Sequence, residues 1–346
     1  MNAAQNSLEV QIPAFGEIEE AAKRLRDVLP RTRLFESETL NQRAGGRLLI
    51  KAETLLPTGS FKVRGAWNTV SQLSSEASRH GIVALSSGNH GQAVAWAARK
   101  ASIARTVVFM PSTTPAAKLD RTRAWGAEIR LFDRDSADRQ SLIEGAVENE
   151  GLHYIPAFDH RHVIAGAGTV ALEVAEELAG TAIDTFVAAC SGGGLMAGCA
   201  LAMEAFSPAT EVWGVEPEGY DDTAQSLQQG HIVTLPATSR SICDAILSPS
   251  PGPLTFQVNK RLLSGVMTGT DGQAMQGMKS AFEEFGLVAE PGGALALGVV
   301  LADRERTAGR TTVVVLSGRN VDPGIYADAI LATSNVGERR CLPKTD

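Results

Sequence analysis

The feature that most constrains this chain is a recurring couplet: a short, uninterrupted apolar run followed by a segment of helical spacing. "IVALSS" (82–87) precedes "HGQAVAWAARKA", "TVVFM" (106–110) precedes "AAKLDRTRAWGA", and "EIRLF" (128–132) precedes "DSADRQSLIEGAVENEG". "DTFVAAC" (184–190) then leads into "GLMAGCALAMEAF", "EVWGVE" (211–216) follows, and "TTVVVL" (311–316) comes before "PGIYADAILAT". A strand wetted on one face alternates apolar and polar residues. A continuous apolar run instead suits a strand of a parallel sheet with helices on both faces. The expectation is therefore an α/β, doubly wound architecture. "SPSPGP" (248–253) is the one dense proline–glycine cluster and reads as a loop. The ends, up to about residue 15 and beyond about residue 335, are expected to be weakly held.

Length suits about two domains at 346 residues. The formal net charge is -7, and no long basic block offers a footprint for nucleic acid or an anionic membrane surface. No basic segment followed by an apolar run marks a signal peptide, and no run approaches the roughly 18 apolar residues of a membrane span. Cys190, Cys199, Cys243 and Cys341 are scattered and form no CxxC pair, which suits a reducing cytoplasm. Cys190 and Cys199 read as small core residues.

In open α/β sheets ligands gather at the carboxyl ends of strands, so the loops there carry the functional signal. "CSGGGLMAG" (190–198) lies between a strand and a helix; its glycines let main-chain N–H groups converge at a helix N-terminus, which makes a phosphate cradle. A tight turn is the plain alternative, and Gly192, Gly194 and Ala197 also fit G-x-G-x-x-A, with Glu216 placed as a ribose ligand would be in a dinucleotide site. "SSGNHGQAVA" (86–95) crowds Ser86, Ser87, Asn89, His90 and Gln92 at a strand end, where amide and hydroxyl groups could serve a phenolate-like oxygen or a carboxylate, or simply cap the helix. "VLSGRNVD" (315–322) offers Ser317 as a cap or as a neutral partner for a ring nitrogen. "PTGSFKVRG" (57–65) sets Lys62 beside Phe61 with no acid nearer than Glu53. Most lysines are solvated, but one in a dry pocket loses its proton readily and becomes a Schiff-base nucleophile.

Taken in order, "TGSFKVRGA", "SSGNHGQA", "VIAGAGTVALE", "SGGGL", "EPGGALA" and "LSGRNVD" resemble the pyridoxal-phosphate enzymes of the tryptophan-synthase β-like fold. Within that family the resemblance is to serine/threonine dehydratases and serine racemase, over roughly residues 15–335. It implies two open, mostly parallel twisted sheets covered by helices. Residues 1–77 and 158–346 would form a large cofactor-binding domain, and 78–157 a smaller mobile domain closing over the substrate. Lys62 would hold the cofactor aldehyde as a Schiff base, with Phe61 against the ring and Asn89 on the ring's 3′ oxygen. Ser191, Gly192, Gly193, Gly194 and Leu195 would hold the phosphate, Ser317 would face the pyridine nitrogen, and Glu290 of "EPGGALA" belongs to the cofactor side. Ser86, Ser87, Asn89 and His90 would bind the substrate carboxylate, with Arg139 and Ser248 also on the substrate side.

The resemblance implies a lyase that removes water from serine, threonine or 3-hydroxyaspartate, giving a 2-oxo acid and ammonia. A hydroxyl at Ser317, where a carboxylate would keep the ring nitrogen charged, weakens the electron sink and favours loss of the β-hydroxyl over transamination. The alternative within the family is a serine or aspartate-type racemase using Lys62 and Ser87 as its two bases; an NAD-dependent oxidoreductase is the alternative outside it. Glu216 and Asp222 flank a turn in "VEPEGYDD" (215–222) and could hold a hard divalent cation (Mg, Ca or Mn) with the Tyr220 carbonyl, although acidic turns are commonly just solvated. Their spacing matches the cation site of serine racemase-like enzymes. The sequence departs from the family pattern at Ser191, Ala167 and Arg319, the last bringing a cation near the substrate or pointing to solvent. The resemblance further implies a homodimer, and with little length beyond the last motif no C-terminal regulatory domain is expected.

Overall fold

The computed structural model describes residues 11–86, 88–133, 136–236 and 240–332. Its strands are β1 (Leu34–Glu36), β2 (Arg47–Ala52), β3 (Ile82–Leu85), β4 (Thr106–Pro111), β5 (Glu128–Phe132), β6 (His153–Tyr154), β7 (Thr185–Ala189), β8 (Glu211–Pro217), β9 (Gly265–Gly269) and β10 (Thr311–Leu316). They form a six-stranded sheet in the order β1-β2-β10-β7-β8-β9 and a four-stranded sheet in the order β5-β4-β3-β6. All pairings are parallel except β1 with β2. The fold is thus the α/β arrangement of two mostly parallel sheets expected from the apolar runs.

The reason those runs are continuous lies in the core. At the centre of the large sheet Val314 is in register with Ile50 on one side and Val187 on the other. Val313 and Val315 point into one apolar cluster with Phe186 and Ala188, whereas Val314 and Leu316 point into another with Val187 and Ala189. Both faces of β10 and β7 are covered, so beyond the threonines at their starts neither alternates apolar and polar residues. One cluster is built with the buried helices Arg161–Glu177 and Gly194–Phe206, the other with Pro291–Ala302. The first two helices approach through Gly168 and Gly198: a Cβ on Gly198 would stand 2.3 Å from the Ile164 carbonyl oxygen and 2.5 Å from the Gly168 nitrogen. Only glycine allows that contact.

Four strands, β1, β2, β6 and β9, fall outside the couplets read from the sequence. β1, β6 and β9 lie at sheet edges, where short or half-exposed strands leave little apolar signature. β2 is an apolar run with no helical segment directly behind it, and it carries a fully buried Lys51. That ammonium donates to Thr32 O at 2.8 Å and pairs with Glu173 at 2.7 Å. Glu173 pairs in turn with Arg64, which also meets Glu53 at 2.7 Å, and Glu53 accepts from Thr32 Oγ1. The network ties β2, the helix Lys62–Val70 and the helix Arg161–Glu177 together beneath the large sheet. The "SPSPGP" segment is a loop up to Gly252, with Pro253 opening the helix Pro253–Leu262. Near the start the chain is anchored earlier than expected, because Ile12 and Phe15 pack on the core; residues 1–10 and 333–346 lie outside the described residues.

Candidate active site

A cavity of about 520 Å³ opens where the carboxyl ends of β3, β7 and β10 face one another across the two sheets. Phe61, Lys62, Ser86, Asn89, His90, Arg139, Ser191, Gly192, Gly193, Gly194, Leu195, Ser248, Glu290 and Ser317 all line it. Residues separated by more than two hundred positions thus reach one space, because parallel connections return every strand with its carboxyl end on the same side. Ser87 lies outside the described residues.

Lys62 is the first residue of the helix Lys62–Val70, and Phe61 is its cap. The Phe61 N–H donates to Ser317 O at 3.0 Å and Ser60 bridges Gly318, so the lysine's turn is fastened to the end of β10. Lys62 Nζ donates to Ala157 O at 2.8 Å and lies 5.1 Å from the centre of the Phe61 ring. Burial lowers its pKa to about 8, without a carboxylate to hold the proton on. The positive end of its own helix acts in the same direction. A neutral amine, the form that attacks an aldehyde, is therefore accessible near neutral pH.

Opposite Lys62 stands the loop from Cys190 into the helix Gly194–Phe206. Gly193 takes φ 92°, a left-handed conformation in which a side chain would be strained. A Cβ on Gly192 would fall 2.5 Å from the Phe158 ring, and one on Gly193 2.7 Å from Asn259 Nδ2. Thr255 Oγ1 donates to Gly192 O at 2.6 Å and Asn259 Nδ2 to Gly193 O at 3.3 Å. With the carbonyls held on that side, the peptide N–H groups are left to the cavity side. This is an anion cradle at a helix N-terminus, the fit a phosphate needs.

Asn89 begins the helix Asn89–Lys100 and is fixed from both ends. Its Nδ2 donates to Glu290 Oε1 at 2.6 Å, leaving a second N–H on that nitrogen, and its Oδ1 accepts from Asn320 Nδ2 at 2.7 Å. Burial pushes the Glu290 carboxyl up to about 7, an effect its hydrogen bond from Asn89 moderates. Beside it, His90 faces Ile155 O through Nε2 at 2.9 Å. A carbonyl only accepts, so Nε2 carries the proton and Nδ1 is left as an acceptor. Burial, and secondarily the Lys62 charge, lower the His90 pKa to about 3, so the ring is neutral. Ser86 Oγ accepts from Gly88 N at 3.1 Å, and Ser248 N donates to Ser191 Oγ at 3.3 Å.

Glu216, Tyr220 and Asp222 do not line this cavity. They form a separate, buried group between the end of β8 and the helix Asp222–Gln229. Glu216 accepts the Thr223 and Ala224 N–H groups at 3.1 Å, while neither carboxylate oxygen of Asp222 has a hydrogen-bond partner. Burial raises both carboxyls, and the Asp222 charge raises Glu216 further. Glu216 is therefore not placed to take a ribose, and the dinucleotide reading loses its acidic residue. Thr223 links this group to the cradle through Ser191 O at 3.4 Å. Arg319 points to solvent, its side chain lying over Gly59.

Sequence reasoning missed Lys118, Phe158, Asp159 and Asp244, which also line the cavity. Asp159 Oδ1 accepts from Leu254 N at 2.8 Å and Thr255 N at 3.0 Å, steadying the helix that steadies the cradle. It sits in a stretch without a motif, nearly a hundred positions from the backbone it caps, so no local signal exposes it. Lys118 and Asp244 form an ion pair across the cavity mouth.

A two-sheet α/β fold with an acid-free lysine facing a glycine phosphate cradle defines an aldehyde-binding, phosphate-anchoring enzyme class. The sequence family described as pyridoxal-phosphate dependent enzyme matches residues 25–318, and the chain belongs to it. The chain is 35% identical to an L-threo-3-hydroxyaspartate ammonia-lyase of Pseudomonas sp, over 93% of this chain and 99% of that one. It is 34% identical to a serine racemase of Schizosaccharomyces pombe, over 91% and 97% of the two chains. Among solved structures, maize serine racemase superimposes with a TM-score of 0.85 at 31% identity, covering 92% of this chain and 97% of that one. A threonine deaminase from T.th. does so with a TM-score of 0.84 at 37% identity, covering 90% and 99%.

Proposed function

We propose that the chain is a pyridoxal-phosphate-dependent ammonia-lyase that removes water from a small 3-hydroxy amino acid and releases a 2-oxo acid and ammonia. The observation that carries this reading is the pairing of an acid-free, buried Lys62 with a hydroxyl, Ser317, on the same cavity wall. The relatives named for hydroxyaspartate and threonine activity support it. Pyridoxal phosphate supplies an electron sink for the bond breaking at Cα. Lys62 would carry its aldehyde, Gly192 to Leu195 its phosphate, Phe61 one ring face, and the free N–H of Asn89 its 3′ oxygen.

Lys62, with substrate bound, would take the Cα proton as a neutral amine; its lowered pKa suits that task. The hydroxyl on Cβ leaves with a proton as water, and hydrolysis of the unsaturated product returns one water, so the balance needs no oxidant. Ser317 would face the pyridine nitrogen with a neutral hydroxyl in place of a carboxylate, which would favour loss of the β-hydroxyl over transfer of the amine. The His90 ring has spent its N–H on Ile155, so the substrate carboxylate would take hydroxyl and main-chain donors of the 86–90 loop, with Arg139 and Ser248 on the substrate side.

Glu216 and Asp222, with the Tyr220 carbonyl, would hold a divalent cation. Two buried carboxylates, one with both oxygens unsatisfied, call for positive charge. Through Thr223 and Ser191 the cation would organise the cradle and take no part in the chemistry. The smaller domain, 78–157, would close over the substrate. The free buried thiols of Cys190, Cys199 and Cys243 suit a cytoplasmic enzyme, and the likeness to the dehydratase group suggests a homodimer.

The test is a panel of serine, threonine and 3-hydroxyaspartate, following 2-oxo acid release beside chiral chromatography. The reading expects keto acid at a rate exceeding inversion at Cα. Inversion without keto acid would identify a racemase instead.

A further inference from the structure

The cavity holds a cation that the lyase chemistry above does not use. Lys118 comes from the helix Ala116–Ala124, on the side of the smaller sheet, and its side chain is only 10% exposed. Its ammonium is 4.0 Å from where a Cβ would stand on Gly88, so it lies beside the cap of the helix Asn89–Lys100. Asp244, its partner, comes from the other side of the mouth, in the short helix Asp244–Ile246, and that side chain is 53% exposed. The wall therefore already holds a carboxylate on Lys118, and that carboxylate can rotate into water at little cost. Lys118 cannot do likewise. Without a partner it would be a nearly buried, uncompensated charge.

The other acids of the cavity are committed elsewhere. Asp159 caps the helix Pro253–Leu262 and Glu290 holds Asn89. Lys118 thus has one exchangeable partner, and the natural competitor for it is a second carboxylate on the bound substrate.

We propose that Lys118 reads a distal carboxylate of the substrate, which takes the place of Asp244, so that the enzyme prefers a 3-hydroxy dicarboxylic amino acid to serine or threonine. This rests on the lyase reading above. With serine or threonine the Lys118–Asp244 pair stays closed and contributes nothing to recognition. With a dicarboxylate, a charge-assisted hydrogen bond forms at the cavity wall and Asp244 turns outward.

The experiment compares kcat/KM of the holoenzyme and its Lys118→Gln, Lys118→Arg and Asp244→Asn variants on 3-hydroxyaspartate, serine and threonine. Binding of the non-reacting pair aspartate and alanine, followed by the visible cofactor band, is measured alongside. Lys118→Gln should lose about 10–100-fold on 3-hydroxyaspartate, the worth of a hydrogen bond to a charged group, and change by less than about threefold on serine and threonine. Lys118→Arg should recover most of the preference, and Asp244→Asn, by freeing the ammonium, should improve 3-hydroxyaspartate a few-fold. The aspartate-over-alanine preference in binding should fall with Lys118→Gln. An equal loss on all three substrates would place Lys118 on the α-carboxylate and overturn the proposal, as would an unchanged 3-hydroxyaspartate rate. If Lys118→Gln does not fold, an Asp244→Asn enzyme that leaves the dicarboxylate preference unchanged or lowers it overturns the proposal equally. Wild-type protein that releases no keto acid from any substrate would sink the lyase reading, while the aspartate–alanine comparison still judges Lys118.

Discussion

Gly193 shows how much of the site depends on single positions. Its φ of 92° and the 2.7 Å approach of Asn259 leave no room for a side chain in a relaxed backbone. Gly193→Ala should weaken pyridoxal-phosphate retention and destabilise the holoenzyme by about 1–3 kcal/mol, read by thermal melting with and without added cofactor. At the same scale the sequence was most legible where chemistry forces a residue type. The glycine run, Lys62 and Asn89, all of which line the cavity, stood out because a close backbone approach, an acid-free amine and an amide donor leave few substitutes. Lys118 and Asp159 were not readable. Each acts on a partner far away in sequence, and an isolated lysine or aspartate looks like any solvated one.

Among the elements, the helix Lys62–Val70 is held by its neighbour's charges as well as by packing. Arg64, two residues past Lys62, is 1% exposed and bonded to both Glu53 and Glu173. Removing it leaves the fully buried Glu53 without a cation, with only Lys51 remaining on Glu173, so Arg64→Met should cost about 3–5 kcal/mol in denaturant unfolding. A smaller loss would mean that the network relaxes or takes in water. The acidic pair at the head of the helix Asp222–Gln229 has the opposite problem: Glu216 accepts two main-chain N–H groups, but neither oxygen of Asp222 has a hydrogen-bond partner. Glu216 and Asp222 bind protons more tightly when folded without a cation than when unfolded. Cation-free stability should therefore fall as pH rises from the ordinary carboxylate range to about 8, since the folded state binds more protons across that interval. Added Mg²⁺ or Ca²⁺ should flatten the fall by neutralising the pair. A melting temperature equally insensitive to pH with EDTA and with cation would remove the case for a metal there. Element by element, the strands β3, β4, β7, β8 and β10, and the edge strand β5, were legible from their continuous apolar runs. The edge strands β1, β6 and β9 were not: β1 and β6 are only three and two residues long, and β9 carries two glycines and a threonine in five residues, so none offers an apolar run followed by helical spacing.

For the whole molecule, the cavity exists only because two sheets bring their carboxyl ends together, and that docking was inferred from the family resemblance, not from residue patterns. Two side-chain links cross the mouth from the helix Ala116–Ala124: Lys118 to Asp244, and Arg121 to Asn320 at 3.3 Å. If the smaller domain closes over the substrate, small-angle scattering of the holoenzyme should show a lower radius of gyration with a bound dicarboxylate than without; identical curves would argue for a rigid mouth.

Lys62 is the residue proposed to carry the cofactor. Borohydride reduction of the holoenzyme, followed by digestion and mass mapping, tests it most directly. The visible band should be lost and a reduced pyridoxyl-phosphate adduct should appear on the peptide containing Lys62. An adduct on Lys118 or Lys51, or none at all, would contradict it.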